Sequence, residues 1–490
     1  MSRLTATLVL TAAFAGAGRA DLPPEVIALQ KSVHRVNDAA KPSIACVLVS
    51  RSDKYAGLGQ GPKSAPGELG EFNLAPGARW GRGGPRDLWK RLDLANPETV
   101  PEAYGSGVVI DDSGLILTNY HVIRDATKVF VRLPGDDRGS YANIVAGDSR
   151  CDLAVLRMIR PPADLKAIPL GDGGKARQGD FVVCLANPFA AGFKGGMPSF
   201  SGGLISNLRR RASAPGDEAT RVKDLAQYGS LIETDVRLNV GCSGGALLNL
   251  DGELIGLTSA IAAVTGSDQP GGFAIPIDAN AKKMIDVLKK GQEVEYGFLG
   301  VTVNPDARGD GRGVTITDVA PGMPAQRAGL IGGDTVVAIN GNPVRDQDDL
   351  FLHIAAALAG SEVEVRVERR GDARTFKARL AKSNRSDYPF VASNPPRAVH
   401  GLRVDYISTM PIGFAAPEGV LVKDLEANSA AERALKKDVD RGARLIVVAV
   451  DGKVVESPPD FYRLAAGKGS VTLDVVELAP GSARRKVTLP

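Results

Sequence analysis

Apolar residues along this chain fall into short runs, cut at close intervals by Gly, Asp, Asn and Pro. Runs of that kind predict β-strands rather than long helices. A helical pattern over Glu25 to Asp38 leads into a first strand at Ser43 to Ser50. From Gly105 the pattern predicts strands at Val108 to Ile110, Leu115 to Thr118, Val129 to Leu133 and Ala154 to Met158. Asp111-Asp112-Ser113-Gly114 and Pro134-Gly135-Asp136-Asp137 separate them as turns. Further strands are expected at Phe181 to Leu185, Leu231 to Glu233, Ala246 to Asn249 and Leu254 to Ser259. Regular short strands with such punctuation build a barrel or a sandwich. Asp278 to Lys290 reads as one amphipathic helix closing this unit.

Two stretches depart from the pattern. Tyr55 to Tyr104 is rich in Gly, Pro and charge, lacks periodicity and holds both tryptophans, Trp80 and Trp89. A stretch of that length inside a compact unit is an inserted functional loop or a disordered one. Beyond the closing helix the chain repeats itself loosely. Gly313-Val314-Thr315-Ile316 answers to Gly419-Val420-Leu421-Val422, and Ala325-Gln326-Arg327-Ala328 to Ala431-Glu432-Arg433-Ala434. Val336 to Gly341 answers likewise to Ile446 to Gly452. Two copies are too few for a solenoid, so they predict two small modules of one type. Asn394-Pro395-Pro396-Arg397 marks the link between them.

Length and composition bound the picture further. At 490 residues there is room for about three domains. With 43% hydrophobic and 24% charged residues, 57 glycines and 31 prolines, the chain reads as globular, turn-rich and mainly β. A net charge of +4 over this length makes no electrostatic case for nucleic acid, and the Arg209-Arg210-Arg211 run alone does not supply one. At the N-terminus Arg3, the apolar stretch Leu4 to Gly18 and the small residues of Gly18-Arg19-Ala20 form an export signal, broken at once by Asp21-Leu22-Pro23-Pro24. The reading is a cleaved signal peptide over residues 1–20, with an uncleaved anchor as the alternative, and a mature protein in the periplasm or otherwise outside the cytoplasm. Cys46, Cys151, Cys184 and Cys242 each sit in or beside an apolar run, which suits buried free thiols as well as disulfides. His34, His121, His353 and His400 are too scattered for the short spacings of a metal site, and no cofactor is expected.

Three local motifs bear on chemistry. Gly241-Cys242-Ser243-Gly244-Gly245 allows a backbone turn in which the amides of Gly241 and Ser243 face one spot, with room beside the hydroxyl. Alone it is a glycine-rich turn. His121 follows a strand, where a lone histidine is commonly a packed or capping residue. Asp152 opens a buried-looking strand, where it could equally be a turn aspartate. Together, in one β unit and in the order His, Asp, Ser, they are what nucleophilic acyl transfer by a serine requires.

Gly105-Ser106-Gly107-Val108-Val109-Ile110-Asp111 and Thr118-Asn119-Tyr120-His121-Val122 resemble the HtrA family of trypsin-like serine proteases. Asp152-Leu153-Ala154-Val155-Leu156, Ala186-Asn187-Pro188-Phe189, Glu233-Thr234-Asp235, Ser243-Gly244-Gly245 and Gly272-Phe273-Ala274-Ile275-Pro276 continue the likeness in the family's order. The resemblance implies a chymotrypsin-like double β-barrel with the active site between the barrels, over residues 21–292 with an insertion at about 55–104. It implies His121 as general base and acid, Asp152 as its orienter and Ser243 as nucleophile, with an oxyanion hole from Gly241 and Ser243. Asp148 lies near, but the family's acid directly precedes Leu-Ala-Val-Leu, which selects Asp152.

The two repeats resemble PDZ domains, the first over 293–384, then a linker at 385–397, then a divergent second copy over 398–490. Phe298-Leu299-Gly300-Val301 resembles the loop that takes a peptide's C-terminal carboxylate on backbone amides. The second copy offers His400-Gly401-Leu402-Arg403-Val404, with Ala443 where the first has Asp334. That copy is either a second peptide site or a packing module.

The chain also departs from the family. Cys242 stands where asparagine is usual, and Val240 and Ala246 replace prolines or polar residues. Arg237 falls near the specificity pocket, and the loop from Ser206 to Ser230 is long. The expected function is an ATP-independent endopeptidase cleaving unfolded exported proteins, with C-terminal peptides held by the first PDZ module and assembly into trimers or their multiples. The alternative is a weak or silent protease fold acting as a scaffold or chaperone.

Overall fold

The computed structural model describes residues 22–51, 94, 101–135, 138–190, 196–210, 231–259, 272–304, 313–384, 388–410, 417–479 and 482–490. The expected leader, nearly all of the 55–104 insertion and the loop from 211 to 230 lie outside these residues. Pro24 at its first turn, where its missing N–H is no loss, opens helix α1 (Pro24–Ala40).

Six strands then form the first barrel: β1 (Ile44–Ser50), β2 (Ala103–Asp111), β3 (Leu115–Asn119), β4 (Lys128–Arg132), β5 (Gly139–Asp148) and β6 (Leu153–Met158). Neighbours run β5-β4-β1-β2-β3-β6, and β5 closes on β6. Every residue of β1 is buried, because its two faces meet different cores. Ala45, Val47 and Val49 point into the barrel, while Cys46 and Leu48 pack with Phe130 and with Leu94, a buried residue of the insertion. A short helix, α2 (Tyr120–Ile123), follows β3 and carries His121.

The second barrel closes as β10-β11-β12-β9-β8-β7. Its strands are β7 (Phe181–Ala186), β8 (Ser199–Arg210), β9 (Leu231–Thr234), β10 (Ala246–Leu248), β11 (Leu254–Ser259) and β12 (Gly272–Pro276). Between the barrels runs a continuous core holding Val108, Leu117, Leu153, Val155, Leu185, Leu248 and Leu257. Burying each leucine there is worth about 2 kcal/mol, which fixes the angle of the cleft above it. Helix α3 (Ala279–Lys289), capped by Asp278 accepting from the Asn280 and Ala281 amides, adds Ile285 and Leu288 to this core.

The rest of the chain is β13 (Gly297–Phe298), β14 (Val301–Val303), β15 (Val314–Val319), α4 (Pro324–Arg327), β16 (Thr335–Ile339), β17 (Asn342–Pro343), α5 (Gln347–Ala356), β18 (Glu362–Arg369), β19 (Asp372–Arg379) and β20 (Ala381–Lys382). Then come β21 (Phe390–Ala392), β22 (Leu402–Tyr406), β23 (Val420–Leu425), α6 (Ala430–Asp440), β24 (Leu445–Val450), β25 (Lys453–Val454), α7 (Pro458–Ala465), β26 (Val471–Glu477) and β27 (Arg485–Leu489). One sheet runs β14-β15-β16-β18-β19 with β17 beside β16, and the other β22-β23-β24-β26-β27 with β25 beside β24. The sequence repeat is therefore a repeat of topology.

Where the copies differ, the difference is local. Asp334 is buried in a two-pronged pair with Arg369 at 2.6 and 2.7 Å. At the corresponding corner, beside Ala443, Arg441 instead bridges Asp438 at 3.2 Å and Glu477 at 2.7 Å.

One element of the linker has an unexpected place. Strand β21 pairs antiparallel with the first barrel, Phe390 opposite Asp148 and Ala392 opposite Ala146. Strand β4 covers β5 only from Gly139 to Ala142, so the far end of that edge is open to it.

Candidate active site

His121 and Asp152 meet side by side. The carboxylate of Asp152 accepts the His121 backbone amide on Oδ1 at 2.8 Å, and His121 Nδ1 lies 2.7 Å from Oδ2. An ionised carboxylate only accepts, so Nδ1 carries the proton and Nε2 is left as the basic nitrogen. The side chain of His121 is 30% exposed and that of Asp152 only 2%, so the ring faces solvent while its partner is shielded. Asp152 holds a left-handed backbone, φ +50, a conformation that Asp tolerates better than most residues. Its carbonyl accepts the Tyr120 amide and the Asn119 Nδ2, both at 3.0 Å, which ties the aspartate to the strand end bearing His121.

Ser243 reaches the same place from the second barrel, and Gly105 marks the meeting point. A Cβ on Gly105 would lie 2.7 Å from a methyl of Val122, next to His121, and 3.1 Å from the Ser243 carbonyl. A side chain there would push both loops apart.

The turn from Val240 to Ser243 is held by its carbonyls. Val240 O accepts the Phe189 amide at 2.7 Å, and Gly241 O accepts Ser106 Oγ at 2.7 Å. Cys242 O accepts Thr258 Oγ1 at 2.6 Å and the Gly245 amide at 2.9 Å, and Ser243 O accepts the Ser106 amide at 2.7 Å. In a trans peptide the N–H points opposite to the carbonyl, so tying back Val240 O and Cys242 O turns the Gly241 and Ser243 amides the other way. Gly241 has φ +94, which a residue with a Cβ would adopt only under strain.

Ser106 is the residue that motif reading passed over. It is fully buried, and its hydroxyl donates to Gly241 O while accepting the Asn187 amide at 2.8 Å. The only signal in the sequence was its place between Gly105 and Gly107.

Cys242, the departure beside the nucleophile, points into the second barrel's core with Cys184, and its Sγ accepts the Asn239 amide at 3.4 Å. All four cysteines are free and buried. Burial pushes Cys242 above the usual thiol range and Cys46 up to about 12, so neither is a ready thiolate. Arg237 is exposed.

Asp148, the other aspartate of this region, is buried and does a different job. Its Oδ1 accepts the Arg150 amide at 2.7 Å and the Tyr296 hydroxyl at 3.2 Å. Burial pushes its carboxyl up to about 6 despite these donors.

The loop from Phe298 to Val301 lies apart from this cleft, in the first of the repeated modules. Leu299 O accepts the Ala325 amide at 2.8 Å and Gly300 O the Ala320 amide at 2.9 Å. The Gly300 and Val301 amides therefore face away from the module's body. In the second copy Gly401 O accepts the Glu426 amide at 2.8 Å in the same way, but the Leu402 amide is already given to Val399 O at 3.0 Å.

Comparison with known proteins agrees with this layout. A family described as trypsin-like peptidase domain matches residues 105–257, and one described as PDZ domain matches 297–380. The chain is 30% identical over 403 residues to a probable periplasmic serine endoprotease, DegP-like, of Brucella suis biovar 1 (strain 1330), covering 80% of this chain and 74% of that protein. It is 32% identical over 387 residues to the periplasmic serine endoprotease DegP of Salmonella typhimurium (strain LT2), covering 76% and 75%. A solved structure of the HtrA-type protease AlgW with tripeptide is 25% identical, covers 71% of this chain and 96% of that one, and has a TM-score of 0.49.

Proposed function

The chain belongs to the HtrA/DegP family of trypsin-like serine proteases with a PDZ domain, and from that premise we propose that His121, Asp152 and Ser243 are its catalytic triad. The protein is a serine endopeptidase. The observation that carries the assignment is the 2.7 Å contact of His121 Nδ1 with the buried Asp152 carboxylate, beside a loop from the second barrel that bears Ser243.

In this reading His121 Nε2 takes the Ser243 hydroxyl proton as Oγ attacks the scissile carbonyl, and later returns it to the leaving amine. Asp152 holds the ring in the required tautomer and stabilises the imidazolium. The amides of Gly241 and Ser243 receive the oxyanion, their direction supported by the bonds on Val240 O and Cys242 O. Cys242 need not weaken this, since the hole is made of backbone and the thiol lies in the core.

The remaining assignments are proposals of the same standing. Residues 21–292 form the protease domain with its insertion, 293–384 the first PDZ domain and 398–490 a divergent second one, the last supported by the shared strand order. The first module binds peptide C-termini on the Gly300 and Val301 amides, and the second packs rather than binds, since its Leu402 amide is taken. Export to the periplasm follows the relatives' names and the Leu4 to Gly18 leader, and assembly into trimers follows the family.

A fluorophosphonate probe and an unfolded protein substrate test the triad together. Wild type should be labelled and should cleave; Ser243→Ala should do neither. Equal cleavage by both proteins would refute the assignment.

A further inference from the structure

The loop carrying Asp152 is gripped from outside the protease barrels. Tyr296 lies between helix α3 and the Phe298–Val301 loop, buried at the end of the inter-barrel core. Its hydroxyl donates to Asp148 Oδ1 at 3.2 Å, and the same oxygen accepts the Arg150 amide. The guanidinium of Arg150 lies 4.5 Å from the Tyr296 ring centre and 5.6 Å from that of Tyr388, in the linker. The linker adds β21 along Ala146 to Asp148, and the Ser149 amide donates to Pro389 O at 3.2 Å. Two segments distant in sequence thus fix residues 146–150, directly before Asp152 with its left-handed backbone, a conformation that persists only where its surroundings enforce it.

The connection onward from Tyr296 has no slack. Gly297 pairs with Lys382, and a Cβ on it would lie 2.5 Å from the Ile354 carbonyl of α5. The next residue, Phe298, begins the loop whose Gly300 and Val301 amides face outward. A shift of that loop on taking a peptide would move Tyr296 with it, and no flexible segment intervenes to absorb the movement.

We infer that Tyr296 is a positioning residue for Asp152, and that it couples the peptide loop of the first module to the catalytic acid. This rests on the triad reading above. The coupling needs no contact between the peptide and the cleft, only a shared buried hydroxyl and a stacked arginine.

The test is Tyr296→Phe, which keeps the ring and deletes the hydroxyl. Steady-state kinetics on an internally quenched peptide would be measured with and without a decapeptide ending in apolar residues and a free carboxylate. Tyr296→Phe should lower kcat about tenfold, the worth of one hydrogen bond to the loop, with KM within about twofold of wild type. The decapeptide should stimulate wild type and lose most of that effect on the variant while binding it as well as before. Unchanged kcat, or equal stimulation of both proteins, overturns the inference, as does a wild-type rate indifferent to the decapeptide. Should the variant not fold, Arg150→Ala tests the same grip from its half-exposed side, and a wild-type kcat there overturns it. Failure of wild type to take the fluorophosphonate probe would instead strike the triad itself.

Discussion

Substituting Ser106 by Ala is the sharpest test of how the oxyanion site is held. The hydroxyl serves two buried groups, donating to Gly241 O at 2.7 Å and accepting the Asn187 amide at 2.8 Å. Alanine removes both bonds and leaves no room for water, because Ser106 is fully buried. Each buried group stripped of its partner costs about 1–3 kcal/mol, so about 2–6 kcal/mol is withdrawn from this junction of the two barrels. The Ser106 amide still holds Ser243 O, so the nucleophile's own peptide stays fixed. What loosens is the peptide after Gly241. Loss of one aligned oxyanion donor lowers kcat about 10²- to 10³-fold. We expect kcat to fall within or just below that range while KM stays near wild type. The affinity of a peptide boronic acid, whose tetrahedral adduct uses the oxyanion hole, should fall in parallel with kcat. Thermal melts followed by circular dichroism separate this from unfolding. A folded variant with kcat within about threefold of wild type would refute the reasoning, and so would equal losses of substrate and boronate affinity.

Other substitutions probe other parts of the molecule. Gly105→Ala places a methyl 2.7 Å from Val122 and 3.1 Å from Ser243 O, an overpacking worth about 1–3 kcal/mol, and should lower both melting temperature and probe labelling; no change in either contradicts the convergence of the loops there. Burial raises Asp148 from an ordinary 3.8 to about 6, so between those pH values the folded protein keeps a proton that the unfolded chain has released. Stability therefore falls as pH rises through that window, by about 3 kcal/mol in full, and the loss persists above it. Asp148→Asn should be free of it, so its melting temperature relative to wild type should climb from pH 4 to pH 7; a flat difference counts against the buried charge. Lys382 sits among Glu293 at 2.9 Å, Glu295 at 3.1 Å and Asp405 at 3.5 Å, joining the first module to the second. Burial alone would lower its ammonium, yet Glu295, Asp405 and Glu293 hold it above its usual value. Lys382→Met leaves those carboxylates facing one another and should cost about 3–5 kcal/mol, read by calorimetry as an earlier transition; an unshifted thermogram would discount the cluster.

The strands that sequence reading located share one property: they are continuous apolar runs because they are buried on both faces. Ile44 to Ser50 is the extreme case, with its two faces in different cores. Those it missed carry glycine or polar residues for reasons that local pattern cannot express. Strand β8 contains Gly202-Gly203, which reads as a turn, but a Cβ on Gly203 would lie 2.8 Å from a methyl of Val236. Strand β5 begins with glycine and carries Asn143 on a face turned to solvent. Strand β21 is three residues beside Pro389, with partners more than two hundred positions earlier, and no window along the chain can show that pairing. Period and punctuation report burial; they are silent on close approach and on distant partners.

The site divides along the same line. His121, Asp152 and Ser243 stood out because each lies beside a strand end with a recognisable neighbourhood, and the structure joins the first two directly. Nothing in the residues themselves distinguishes Asp148 from Asp152 as the acid, since both are buried aspartates next to one strand pair. What distinguishes them is the partner each meets, the His121 ring for one and the Tyr296 hydroxyl for the other. Ser106 was hidden for a related reason. A serine between two glycines reads as a flexible turn, whereas here the glycines make space for Val122 and Ile116 and the serine hydroxyl braces a loop more than a hundred residues away. The motif residues therefore carry the chemistry, but their geometry is imposed by residues outside the motifs. Ser106 holds the Gly241 peptide, while Tyr296 and Pro389 hold the loop leading to Asp152. A change in the linker or in the first module can thus reach catalysis without touching the triad, and the triad alone is a poor measure of whether a chain of this kind is active.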